Sequence, residues 1–117
     1  MADYGLVVSW GDVKPGREKK ALELWGEVVA FYDRAVSDGR IERWDAALFE
    51  PSATAPGGVL RCNGTADQVQ ALTGSGDFLH LLGRAQQLLF NLGIRRFVTG
   101  QAMVDAFGRM STIVESL

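Results

Sequence analysis

The hydrophobic positions along this chain repeat with two different periods, and the changes between them mark the elements. Tyr4 to Trp10 (YGLVVSW) is a short apolar run rich in β-formers and closed by Gly11 and Asp12, which predicts a buried strand. Lys14-Pro15-Gly16-Arg17-Glu18 follows. Proline suits a first helical turn because its missing N–H would lack a partner there anyway, and Glu18 suits the positive end of the helix dipole, so a long helix is predicted from about Pro15. Ala21, Leu24, Trp25, Val28, Phe31, Tyr32 and Ala35 then recur at the three-and-four spacing that lines one side of a helix. Ser37-Asp38-Gly39 supplies the stop, with Gly39 free to take the left-handed conformation that closes helices.

Ile41 to Glu50 (IERWDAALFE) predicts a second strand, Pro51 to Gly58 a turn-forming link, and Val59 to Asn63 a third strand in a hairpin with the second. Thr65-Ala66-Asp67-Gln68 fits a capping box, in which hydroxyl and amide side chains satisfy backbone N–H groups at a helix start. The helix it opens is interrupted at Thr73-Gly74-Ser75-Gly76. It resumes from Asp77, with Phe78, Leu81, Leu82, Ala85, Leu88 and Leu89 in register, and ends at Asn91-Leu92-Gly93. Ile94 to Thr99 reads as a fourth strand, and Met103, Val104, Phe107 and Met110 predict a short closing helix.

A displacement of 53 positions lays the second half of this order over the first. It places Gly11 on Gly64, Ile41-Glu42-Arg43-Trp44 on Ile94-Arg95-Arg96-Phe97, and Trp25 on Phe78. Each half is then a strand–helix–strand unit. Right-handed crossovers and interleaving of the two units predict an α+β fold of ferredoxin-like βαββαβ order, a four-stranded antiparallel sheet with both helices on one face. The whole of residues 1–117 is read as one such domain, long enough to bury a core without staples.

Composition narrows the possible roles. Hydrophobic residues make up 47% and charged residues 22%, a globular mixture rather than a disordered one. Lys and Arg number 12 against 14 Asp and Glu, leaving no basic surplus for phosphates, which argues against a nucleic-acid partner. Cys62 is the only cysteine, so no intrachain disulfide forms, and no cysteine-based metal cluster is present. Met1-Ala2-Asp3 carries no basic segment leading into an apolar run, and no stretch reaches membrane-spanning length. The expectation is a cytoplasmic protein with no membrane partner, for which the sequon Asn63-Gly64-Thr65 is coincidence.

An open sheet with helices on one side needs cover on its other side, and a second copy of the chain is the simplest cover. Here the sequence resembles the dimeric α+β barrel superfamily, to which the antibiotic-biosynthesis-type monooxygenases belong. The resemblance rests on the opening strand running through Trp10 into Lys14-Pro15-Gly16-Arg17-Glu18 and on the element order from Tyr4 to Gln101. It implies a homodimer and, for the monooxygenases, chemistry without metal or flavin on substrates that themselves activate oxygen. It also makes Trp10 and Asn63 site candidates, since Trp and Asn near strand ends recur in such sites.

Three constellations offer chemistry, each beside a plainer reading. His80 is the only histidine; it is a candidate general base or an exposed helix residue. Alternation puts Arg43 with Asp45 on one side of strand two and Arg61 with Asn63 on one side of strand three, and Arg96 joins them as the repeat partner of Arg43. They form either a floor for a planar anion or cross-strand ion pairs, and the modest yield of exposed pairs favours the second. Trp10, Trp25, Trp44 and Phe78, with Phe49 and Phe97, either line a pocket for a flat hydrophobic ligand or fill the core. Gly74-Ser75-Gly76-Asp77 lacks the Lys-Ser/Thr of a phosphate loop and reads as a helix break. Two functions follow: a homodimeric binder of a small hydrophobic or aromatic molecule, needing no cofactor, or a cofactor-independent monooxygenase or isomerase acting on an aromatic or quinone-like metabolite.

Overall fold

The structure is a computed structural model that describes residues 2–51 and 57–117. Its elements run β1 (Tyr4–Trp10), α1 (Glu18–Ser37), β2 (Arg43–Leu48), β3 (Gly58–Gly64), α2 (Ala66–Thr73), α3 (Gly76–Leu88), β4 (Gly93–Val98) and α4 (Gly100–Glu115). The strands form one sheet in the order β2-β3-β1-β4, every neighbouring pair antiparallel. This is the ferredoxin-like topology that the interleaved units predict. The link between β2 and β3 falls largely on residues 52–56, outside the described residues.

Local chemistry explains most boundaries. Helix α1 starts at Glu18 rather than at Pro15, because Gly16 takes φ +80 in a turn that Arg17 N–H closes onto the Lys14 carbonyl. At its other end Gly39, φ +75, reverses the chain, and the Asp38 N–H caps back to Arg34. The capping box at Thr65 is complete: Gln68 N–H donates to Thr65 Oγ1 at 3.1 Å, and Thr65 N–H donates to Gln68 Oε1 at 2.8 Å. At the predicted break the second helical region divides into α2 and α3, with Ser75 Oγ donating to the Leu72 carbonyl. Asp77 is held in the first turn of α3 by a two-pronged pair with Arg40 at 2.9 and 3.2 Å, which keeps its carboxyl well below the usual range.

The core lies between the sheet and its helices. Leu6 of β1 and Leu60 and Cys62 of β3 meet Phe31, Tyr32 and Ala35 of α1, Leu72 of α2 and Phe78 of α3. Cross-strand pairing fixes the two faces: Leu6, Val8 and Trp10 stand opposite Cys62, Leu60 and Gly58 and face the helices, while Gly5, Val7 and Ser9 stand opposite Asn63, Arg61 and Val59 and face away.

The repeat survives with a corrected displacement. Strand β1 maps on β3 at 54 positions, Tyr4 on Gly58, and β2 maps on β4 at 50, Arg43 on Gly93. Both are even. An odd shift such as 53 exchanges the faces of a strand, because side chains alternate every residue. In the helices the same slip makes Leu24, not Trp25, the buried counterpart of Phe78, and Trp25 is left 37% exposed.

Candidate functional site

A cavity of about 400 Å³ lies between the helix face of the sheet and the α1–α3 pair. Its floor is Val8 and Trp10 of β1, Leu60 of β3 and Leu48 of β2. Helix α1 contributes Leu24, Trp25, Val28, Phe31 and Tyr32 to its walls, and α3 contributes Phe78, Leu81, Leu82 and Ala85. Its end is closed where residues 11–14 run against residues 88–90: Gly11 N–H donates to the Phe90 carbonyl and Lys14 N–H to that of Leu88, both at 2.8 Å. Val13, Leu89 and Leu92 line that end. Two of the lining residues are largely open to solvent, Leu48 at the end of β2 at 81% and Leu22 of α1 at 74%. Glu18 is the one charged residue among the lining.

Aromatic rings run through and beside this space. Trp10 and Trp25 have centroids 5.9 Å apart, Trp25 meets Trp44 edge-on at 6.5 Å, and Trp44 stacks on Tyr32 at 5.4 Å. Trp44 is fixed by its ring N–H, which donates to Asp33 Oδ1 at 2.8 Å. Trp10 folds over Gly58 so closely that a Cβ there would come within 2.5 Å of the ring, a contact that only glycine allows. Burial pushes the Tyr32 phenol well above its ordinary value and the Cys62 thiol up to about 11, so both stay neutral.

The away face carries different chemistry. Arg61 donates to both carboxylate oxygens of Asp45, at 3.1 and 2.7 Å, and this holds the Asp45 carboxyl below its usual range. Beside the pair, Arg43, Asn63, Phe97 and Thr99 border a hollow of about 150 Å³. The ring of Phe97 lies over Gly5, where a Cβ would stand 2.1 Å from it.

The sequence candidates are thus divided between two places. Trp10, Trp25 and Phe78 border the cavity, and Trp44 stands behind it. Arg43, Arg61 and Asn63 share the opposite face, and His80 is exposed on α3, bordering neither space. Arg96 does not join the strand arginines. It faces the helices and donates to Gln70 Oε1 and Thr73 Oγ1 of α2 at 2.8 and 2.9 Å, while Arg95 takes the away face. Tyr32 is the site residue that sequence reading left in the core; its place at the end of an aromatic stripe gave no sign that a phenol would border a cavity. No group of three potential metal ligands converges among the described residues, and none of their helices is long and apolar enough to cross a membrane.

No family model matches the chain, and no curated protein matches it significantly. Solved structures do. A dimeric protein of unknown function and ferredoxin-like fold from Bacteroides fragilis superposes with a TM-score of 0.62 at 7% identity, over 85% of this chain and 98% of the other. A protein of unknown function from Nitrosomonas europaea gives 0.61 at 21% identity, over 85% and 90%. A Chloroflexus aurantiacus protein, provisionally assigned as an antibiotic biosynthesis monooxygenase, gives 0.50 at 14% identity, over 83% and 92%. What this chain shares with them is the ferredoxin-like fold.

Proposed function

We propose that this protein is a homodimer that binds a small hydrophobic or aromatic molecule in the cavity between sheet and helices. The observation that carries the reading is the cavity itself: about 400 Å³, walled by tryptophan, phenylalanine, tyrosine and aliphatic side chains, with one carboxylate among its lining. That volume falls within the range of small-molecule sites, and an apolar wall favours a ligand that loses little hydration on entry. The dimeric state of two fold relatives supports the second copy, as does the half-buried apolar surface of Val7, Val59 and Phe97 on the away face.

The same geometry favours binding over the oxygenase reading, since His80 and Asn63 do not border this space. A neutral fluorescent probe, N-phenyl-1-naphthylamine, tests the reading. Saturable binding at about one probe per protomer is expected, and Ala85→Phe, which places a ring in the cavity, abolishes it while circular dichroism and thermal midpoint are kept. Non-saturable binding, or binding that Ala85→Phe leaves unchanged, would overturn the ligand half. A monomeric mass in light scattering at micromolar concentration would overturn the dimer half.

A further inference from the structure

Helix α4 has no buried residue and, among the described residues, packs along no other element, yet it is strongly amphipathic. Met103, Phe107, Met110 and Val114 succeed one another at intervals of four, three and four, the spacing at which one helix meets another knob into hole. Val104 and Ile113 flank this seam on either side. All six are among the exposed large hydrophobics, from 41% for Met103 to 66% for Val114. The helix's charges, Asp105, Arg109 and Glu115, fall on the far side.

We infer that α4 is a dimerisation arm, packing along this seam against α4 of a second copy. The stripe amounts to several hundred Å² of contiguous apolar surface, at the upper end of what monomers leave in water, and of the order of one partner's share, about 800 Å², of a standard interface. Two identical seams without a charge bring no like charges together, so a two-fold axis satisfies both copies at once. The described residues of the arm's own body offer no alternative seat. Asp3 ties down the start of α4, its carbonyl accepting from Thr99 N–H at 2.7 Å and its carboxylate from Ala102 N–H at 3.4 Å, and beyond that turn no element among the described residues runs alongside the helix. The inference rests on the homodimer reading for the second copy and adds the surface that joins it.

Cross-linking of the full chain tests it. Met110 lies near the middle of the seam, so in parallel and in antiparallel pairing alike it stands close to its symmetry mate, and Cys62 is fully buried and contributes no background. Oxidation of Met110→Cys is expected to give covalent dimer, Asp105→Cys, on the far side, to give little, and Phe107→Asp to weaken association at least about tenfold with the fold retained by circular dichroism. A wild-type dimer in which Met110→Cys links no better than Asp105→Cys, or whose mass Phe107→Asp leaves unchanged, overturns the arm and leaves the homodimer standing. A monomeric wild type overturns both.

Discussion

Leu6 and Val7 are neighbours on β1, and the sheet sends them to opposite environments. Leu6 is 1% exposed in a core continuous with an aromatic cavity, whereas Val7 is half-buried on a face where Arg61, Asp45, Arg43 and Arg95 stand in water. One face is closed by its own helices and keeps space inside. The other is closed by nothing among the described residues, and there Arg61 and Asp45 pair with each other. The contrast teaches that the two faces of a single sheet answer to different packing demands, so a substitution can damage one and spare the other.

The largest expected effect lies on the helix side. Leu6→Ala removes a fully buried side chain and is expected to cost about 2–5 kcal/mol in urea unfolding with an unchanged slope. Val7→Ala at low protein concentration is expected to cost about 1 kcal/mol or less. Equal losses would erase the distinction between the faces, and a Val7→Ala loss that grows with protein concentration would sharpen it. A smaller effect is expected from Cys62, whose thiol folding raises from 9.0 to about 11. A raised pKa means that the folded state holds the proton more tightly. Its stabilisation is complete below pH 9 and is lost as pH rises towards 11. The free energy of unfolding measured between pH 8 and 11 should therefore fall off more steeply for the wild type than for Cys62→Ala, and parallel curves would remove Cys62 from the core's titration. The smallest effect belongs to the away face. Arg61→Ala breaks a bidentate pair whose side chains are more than half exposed, and a loss above about 1 kcal/mol would show that this face is covered in solution.

Much of this arrangement is legible from residue order. The glycine break between α2 and α3, the capping box and the polar alternation on β2 and β3 are local signals, and each stands where the pattern predicts. Register is not local. Arg96 lands among the helices because β4 is offset from β2 by an even number, which no composition of either strand reveals. The cavity is equally hidden: Trp25, Phe78 and Leu82 carry the periodicity of an ordinary core, and only the distance between packed elements decides whether such residues touch or enclose a space. Helix α4 reads from its sequence only as a short closing helix, while its 16 residues and its lack of a seat among the described residues emerge only from the fold.

The row of rings from Trp10 through Trp25 to Trp44, each within 6.5 Å of the next, gives the molecule an optical property. Transitions on indoles this close couple, so near-ultraviolet dichroism is expected to report the geometry of the row rather than of each ring alone. Two of them border the cavity and the third is tethered to Asp33. A guest that turned Trp25 by one rotamer would reshape the near-ultraviolet dichroism of the whole row, without a label and without knowledge of the guest's identity.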